Sequence, residues 1–147
     1  MKKTLLTLLL LTAFSTAFSQ GFAYYPFSSV FSFSSNPTRT IWVDSRFQTN
    51  SYFSSLSTEV ALMVNFNDNP KARFYGGLSS RFNFLVLVND YRAEVLEGYG
   101  LHAGIRSEPF AKLPRLQLAF EISPYVQKDF EIGLMRSYLG IAYYVGR

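Results

Sequence analysis

Residues 115–123 alternate without a break. Leu116, Leu118, Phe120 and Ile122 are apolar, and Arg115, Gln117, Ala119, Glu121 and Ser123 between them are small, polar or charged. Successive side chains of a strand point to opposite faces, so this stretch predicts a strand with one greasy and one wet side. The constraint is strong because the same pattern recurs along the chain. In 40–50, Ile41, Val43 and Phe47 lie opposite Thr40, Trp42, Asp44, Arg46, Gln48 and Asn50. In 59–66, Val60, Leu62, Val64 and Phe66 lie opposite Glu59, Ala61, Met63 and Asn65. The long stretch 72–88 sets Phe74, Leu78, Phe82, Phe84 and Val86 against Arg73, Tyr75, Gly77, Ser79, Arg81 and Asn83, and its far end is apolar on both faces.

Two more segments complete the set. In 95–107, Val95, Tyr99, Leu101, Ala103 and Ile105 face away from Gly98, Gly100, His102, Gly104 and Arg106. The last strand sets Leu139, Ile141, Tyr143 and Val145 against Arg136, Tyr138, Gly140, Ala142 and Tyr144. Strong turn signals separate them, such as Asn67-Asp68-Asn69-Pro70 and the pair Glu108-Pro109. The expected connections are 51–57, 89–93 and 124–129 at one end, with 67–71 and 108–114 at the other. Six good strands follow. One more is available in the Ser- and aromatic-rich 20–35, before Asn36-Pro37. The fold expected is all-β, an antiparallel up-and-down meander forming a small barrel of six to eight strands.

The start of the chain has a different character. Lys2 and Lys3 precede an apolar run over 5–11, and Ala17 and Ser19 are small residues placed where a signal peptidase reads. The apolar run is well short of the roughly 20 residues a spanning helix needs. The domains expected are therefore a secretory signal peptide at 1–19, an N-terminal segment at 20–38 and a barrel domain at 39–147. Without Lys2 and Lys3, twelve basic residues face ten acidic ones, a formal charge of +2. That balance, with no basic cluster, excludes a nucleic-acid partner. The absence of Cys excludes disulfides and thiolate metal sites.

Two kinds of barrel share this alternation. A soluble one buries the apolar face around a ligand; a membrane one turns that face to lipid and packs polar groups inside. The wet face carries Arg on strands (Arg46, Arg73, Arg81, Arg106, Arg115, Arg136), whereas Lys71, Lys112 and Lys128 fall in connections. A crowded interior favours the planar fork of Arg, which pairs bidentately with carboxylates such as Asp44, Glu59 and Glu121. The same face holds Gly77, Gly98, Gly100, Gly104 and Gly140, suited to a narrow filled lumen. The apolar face is bulky, in a chain with 15 Phe and 10 Tyr. The interior network expected is Asp44, Arg46, Glu59, Arg73, Arg81, His102, Arg106, Glu121 and Arg136. It carries two excess positive charges when Arg46, Arg73, Arg81, Arg106 and Arg136 are set against Asp44, Glu59 and Glu121. Glu121 is expected to pair with an Arg on a neighbouring strand. Glu97 breaks the apolar parity of its strand and is placed on the other face, near a hairpin end.

With its two-faced strands, its Gly/Arg face and its final Gly-Ile-Ala-Tyr-Tyr-Val, the chain resembles the small outer-membrane β-barrel proteins of Gram-negative bacteria over roughly residues 39–145. The resemblance implies an outer-membrane location, lipid as the immediate partner, both termini on the periplasmic side, and a structural, adhesive or narrow-passage role. Single-chain barrels of this kind have eight or more strands, so fewer would imply a homo-oligomer. Some small outer-membrane barrels are lipid A deacylases with a His-x-Ser pair; here His102 is followed by Gly104 where that serine would stand. His102 is the only histidine, and neither a metal, a cofactor nor an enzymatic role is expected. The alternative is a periplasmic or secreted soluble barrel that binds an apolar ligand against Leu116, Leu118, Phe120 and Ile122.

Overall fold

The computed structural model describes residues 20–49, 57–84 and 94–145. Eight strands run in order: β1 (Gln20–Tyr25), β2 (Val30–Ser34), β3 (Ile41–Gln48), β4 (Ser57–Asn65), β5 (Arg73–Asn83), β6 (Leu96–Ser107), β7 (Leu116–Gln127) and β8 (Gly133–Val145). Each pairs antiparallel with the next, and β1 pairs with β8 through Gln20↔Val145 to Tyr24↔Ile141, so the meander closes into a barrel. Closure leaves no sheet edge. An even strand number puts Gln20 and Val145 at one end, called here the termini end. The Pro26–Ser28 turn and the connection after β7 lie at the far end.

Eight strands fall within the expected six to eight, and the first correction concerns the N-terminal segment. The N-terminal segment supplies two strands, not one, joined by a single 3-10 turn at Pro26–Ser28. Their outward residues include Tyr24, Phe31 and Phe33; their inward ones are Ala23, Tyr25, Val30, Ser32 and Ser34. The second correction is Pro124. The expected strand ended before it, yet β7 runs through it to Gln127. Pro124 lies opposite Met135 on β8, while the ladder to β6 skips Leu101, His102, Ser123 and Pro124 before it resumes. A residue without an N–H is tolerated where the ladder is open. The expected signal peptide at 1–19, most of the 51–57 and 89–93 connections, and the 85–88 tip of the long strand lie outside the described residues.

The faces sort as the alternation demands. On β7 Phe120 is 45% exposed and its neighbour Glu121 is 0%. Leu118, Phe120 and Ile122 point outward, so the interior apolar pocket of the alternative reading is not formed by them. Two small apolar clusters remain inside: Trp42, Ala61, Met63 and Tyr75 toward the termini end, and Ala23, Tyr25, Val30, Ala119, Tyr138 and Ala142 elsewhere. Inward glycines let these rings lie flat on the wall. A Cβ on Gly104 would stand 2.5 Å from the Tyr75 ring, and one on Gly140 would stand 2.6 Å from the Tyr25 ring.

Candidate functional site in the barrel interior

All nine residues of the expected network point into the barrel, but the structure divides them into groups with different partners. The central group is built on β3 and β7. Arg46 donates from Nη1 to Glu121 Oε1 at 2.6 Å and from Nη2 to Oε2 at 2.8 Å, a bidentate fork. Its Nε donates to Asp44 Oδ2 at 2.8 Å. Asp44 Oδ1 in turn accepts from Ser32 at 2.5 Å and Ser34 at 2.8 Å, which explains small hydroxyl residues at the inward positions of β2. Tyr75 donates to Glu121 Oε2 at 2.9 Å. The Arg46 guanidinium also lies near the Tyr25 and Tyr138 rings, 5.9 and 5.6 Å from their centroids. Asp44, Arg46 and Glu121 are 0%, 2% and 0% exposed.

The Arg46–Glu121 pair corrects an expectation. The partner of Glu121 is not on a neighbouring strand: β3 and β7 stand four strands apart in a ring of eight, on opposite walls. The second pair repeats this geometry between β4 and β8. Arg136 donates to both oxygens of Glu59, at 3.0 and 3.2 Å, and to Ser123 Oγ at 3.0 Å. Between the pairs sits His102. Its Nδ1 is 2.7 Å from Glu121 Oε1, and its Nε2 is 2.8 Å from Ser79 Oγ and 3.1 Å from Glu59 Oε1. Ser79 donates to Glu59 Oε1 at 2.5 Å. Gly100 makes room for this crossing: a Cβ there would meet Ser79 Oγ at 2.5 Å and Arg136 Nη2 at 3.1 Å.

A third group lies toward the far end. Arg81 pairs with Glu97 at 2.9 Å and donates to Gln48 at 3.0 Å. Glu97 also accepts from Ser57 and Asn83, each at 3.0 Å. The expected placement of Glu97 on the apolar face is therefore wrong. The cause is a register shift: Arg81 opposes Gly98 and Phe82 opposes Leu96, so Glu97 is an extra residue, and a bulge re-aims its side chain inward. Four carboxylates, not three, then face the five arginines, which lowers the expected excess of arginine over carboxylate.

The fourth group has no carboxylate. Arg73 and Arg106 are direct cross-strand partners on β5 and β6. Arg106 lies over Trp42 at 4.6 Å and Tyr75 at 5.4 Å from the ring centroids. Arg73 Nη1 makes one long hydrogen bond, 3.4 Å, to Pro37 O. Pro37 is buried, and Asn65 holds the loop that carries it through bonds to Pro37 O (2.9 Å) and Arg39 O (2.6 Å). Alternation finds the nine expected inward residues but misplaces Glu97, and only closure reveals which of them meet across the interior.

No family model, no curated protein and no solved structure matches the chain. What can be said of its class is an eight-stranded up-and-down barrel, polar within and apolar without.

Proposed function

We propose that this protein is a small, non-enzymatic outer-membrane β-barrel with a plugged interior, serving as a structural or adhesive element that displays its far-end connections. One observation carries the reading: the polarity is inverted relative to a soluble barrel. Asp44, Arg46 and Glu121 are buried at its centre, while Leu62, Leu78, Leu101, Phe120, Leu139 and Ile141 form an exposed apolar band around it. A contiguous band of that kind would be an aggregation hazard in water and is what hydrocarbon requires. Aromatic side chains flank it on both sides, with Tyr24, Phe31, Phe47 and Tyr99 toward the far end and Phe66, Phe74 and Tyr143 toward the termini. The longest strands, β5 to β8, have 11 to 13 residues, enough for a tilted crossing.

The cross-barrel pairs support the plug. Arg46–Glu121 and Arg136–Glu59 tie opposite walls, and His102 links them, leaving little room for a continuous aqueous path. The alignment Ser79–His102–Glu121 has the order of a hydrolytic triad, but its chemistry differs. The Ser79 proton is directed at Glu59, and Ser79 is 6% exposed. A nucleophile needs its proton taken by the imidazole and a path for substrate.

Cell fractionation tests the location. Sedimentation with the outer membrane and a detergent-requiring, heat-modifiable band are expected. Release by osmotic shock would favour the soluble barrel.

A further inference from the structure

Of the five interior arginines, three have carboxylate partners: Arg46, Arg81 and Arg136. Arg73 and Arg106 have none within 4.0 Å among the described residues, although they are 7% and 2% exposed and sit directly opposite each other. Like charges opposed across a ladder repel, and a buried charge without a partner is costly. Arg106 lacks a hydrogen-bond partner at Nε and Nη2, and Arg73 lacks one at Nε. Nε also lacks a hydrogen-bond partner in Arg81 and Arg136, so the distinguishing atom is Nη2 of Arg106. Nε–H and Nη2–H lie along one edge of a guanidinium, the edge that engages two oxygens of a carboxylate or phosphate at once. The Arg106 guanidinium lies over the rings of Trp42 and Tyr75, and no hydrogen-bond acceptor among the described residues engages that edge.

We propose that Arg73 and Arg106 form a binding site for one small oxyanion of the phosphate or sulfate class at the termini end of the barrel interior. Arg106 supplies the two-donor fork and Arg73 a third donor. Five arginines face four carboxylates in the interior, so an anion there would also reduce its excess positive charge. Glu108, near the same end, accepts a hydrogen bond from Gln117 at 3.1 Å and leaves both arginines without a carboxylate. The site stands on the interior of the closed barrel and does not rest on its membrane setting.

The test uses the full chain refolded in detergent and compares inorganic phosphate with chloride at equal ionic strength. Near-saturating phosphate should raise the unfolding midpoint by at least about 5 °C over chloride, since a ligand that binds only the folded state stabilises it by mass action. The increment should vanish in Arg106→Gln and Arg73→Gln and persist in Arg81→Gln, whose arginine lies in the far-end group. Arg106→Lys, which keeps the charge and loses the fork, should weaken the phosphate response at least tenfold in concentration. Equal midpoints of the wild-type protein in phosphate and chloride would overturn the site, and that comparison needs no variant to fold. An undiminished increment in Arg106→Gln would overturn it equally.

Discussion

Arg46 and Arg106 are both buried to within 2% of complete enclosure in the same barrel, yet their surroundings differ. Arg46 meets Asp44 on its own strand and Glu121 on the opposite wall, and all three of its nitrogens donate to carboxylate oxygens. Arg106 meets two aromatic faces and a second arginine. The central region is a satisfied network in which each carboxylate accepts several bonds. The termini region keeps donors in reserve. The same side chain thus does two jobs: cross-linking where carboxylates bond it, and keeping an unbonded edge where it lies over rings and opposite Arg73 in the ladder. A charge that is buried and paired is costly to break, whereas one that is buried and unpaired costs little to remove.

The largest effect should follow from breaking the paired region. Glu121→Ala takes acceptors from Arg46, Tyr75 and His102 together and should destabilise the barrel by about 3–5 kcal/mol, measured by denaturant unfolding in lipid vesicles. A loss below about 1 kcal/mol would mean that the interior is wet and the pairing weak. Next comes the contrast between the two faces of one strand. Phe120→Arg, on the outward face, should cost roughly 2–4 kcal/mol in vesicles. Gln117→Arg, on the inward face of the same strand, should cost less; a reversed order would favour the soluble barrel.

Glu97→Ala should cost about 1 kcal/mol. Its partners Arg81, Asn83 and Ser57 lose an acceptor, but the pair is partly open to solvent and screened. A silent variant would show that the bulge leaves Glu97 effectively in water. The smallest effect belongs to Arg106→Met in anion-free buffer, within about 1 kcal/mol of wild type. Loss of the ring contacts, about 0.5–2 kcal/mol, is offset by relief of repulsion with Arg73 and of an uncompensated charge. A cost as large as that of Glu121→Ala would erase the distinction between the two regions.

Much of this barrel is legible in the sequence because strand alternation is local. Arg73, Tyr75, Ser79, Arg81 and Asn83 can be assigned to one face from their spacing alone, and the structure puts them there. What fails is non-local. The inward faces of β1 and β2 carry Ala23, Ser32 and Ser34, whose spacing offers one strand and not two, and the serines are explained only once Asp44 is seen to accept from both. The partner of Glu121 lies 75 residues away, and only closure brings it across. Pro124 looks like a terminator because its tolerance depends on an open ladder on the neighbouring strand. Glu97 is assigned to the wrong face because one inserted residue reverses the parity.

Planar-bilayer recording of the purified wild-type protein tests the plug most directly. If Arg46–Glu121 and Arg136–Glu59 span the interior as a plug, wild-type barrels should pass no large, steady current, while Glu121→Ala should show added fluctuating conductance. Large, steady conductance from the wild-type protein would contradict the plug.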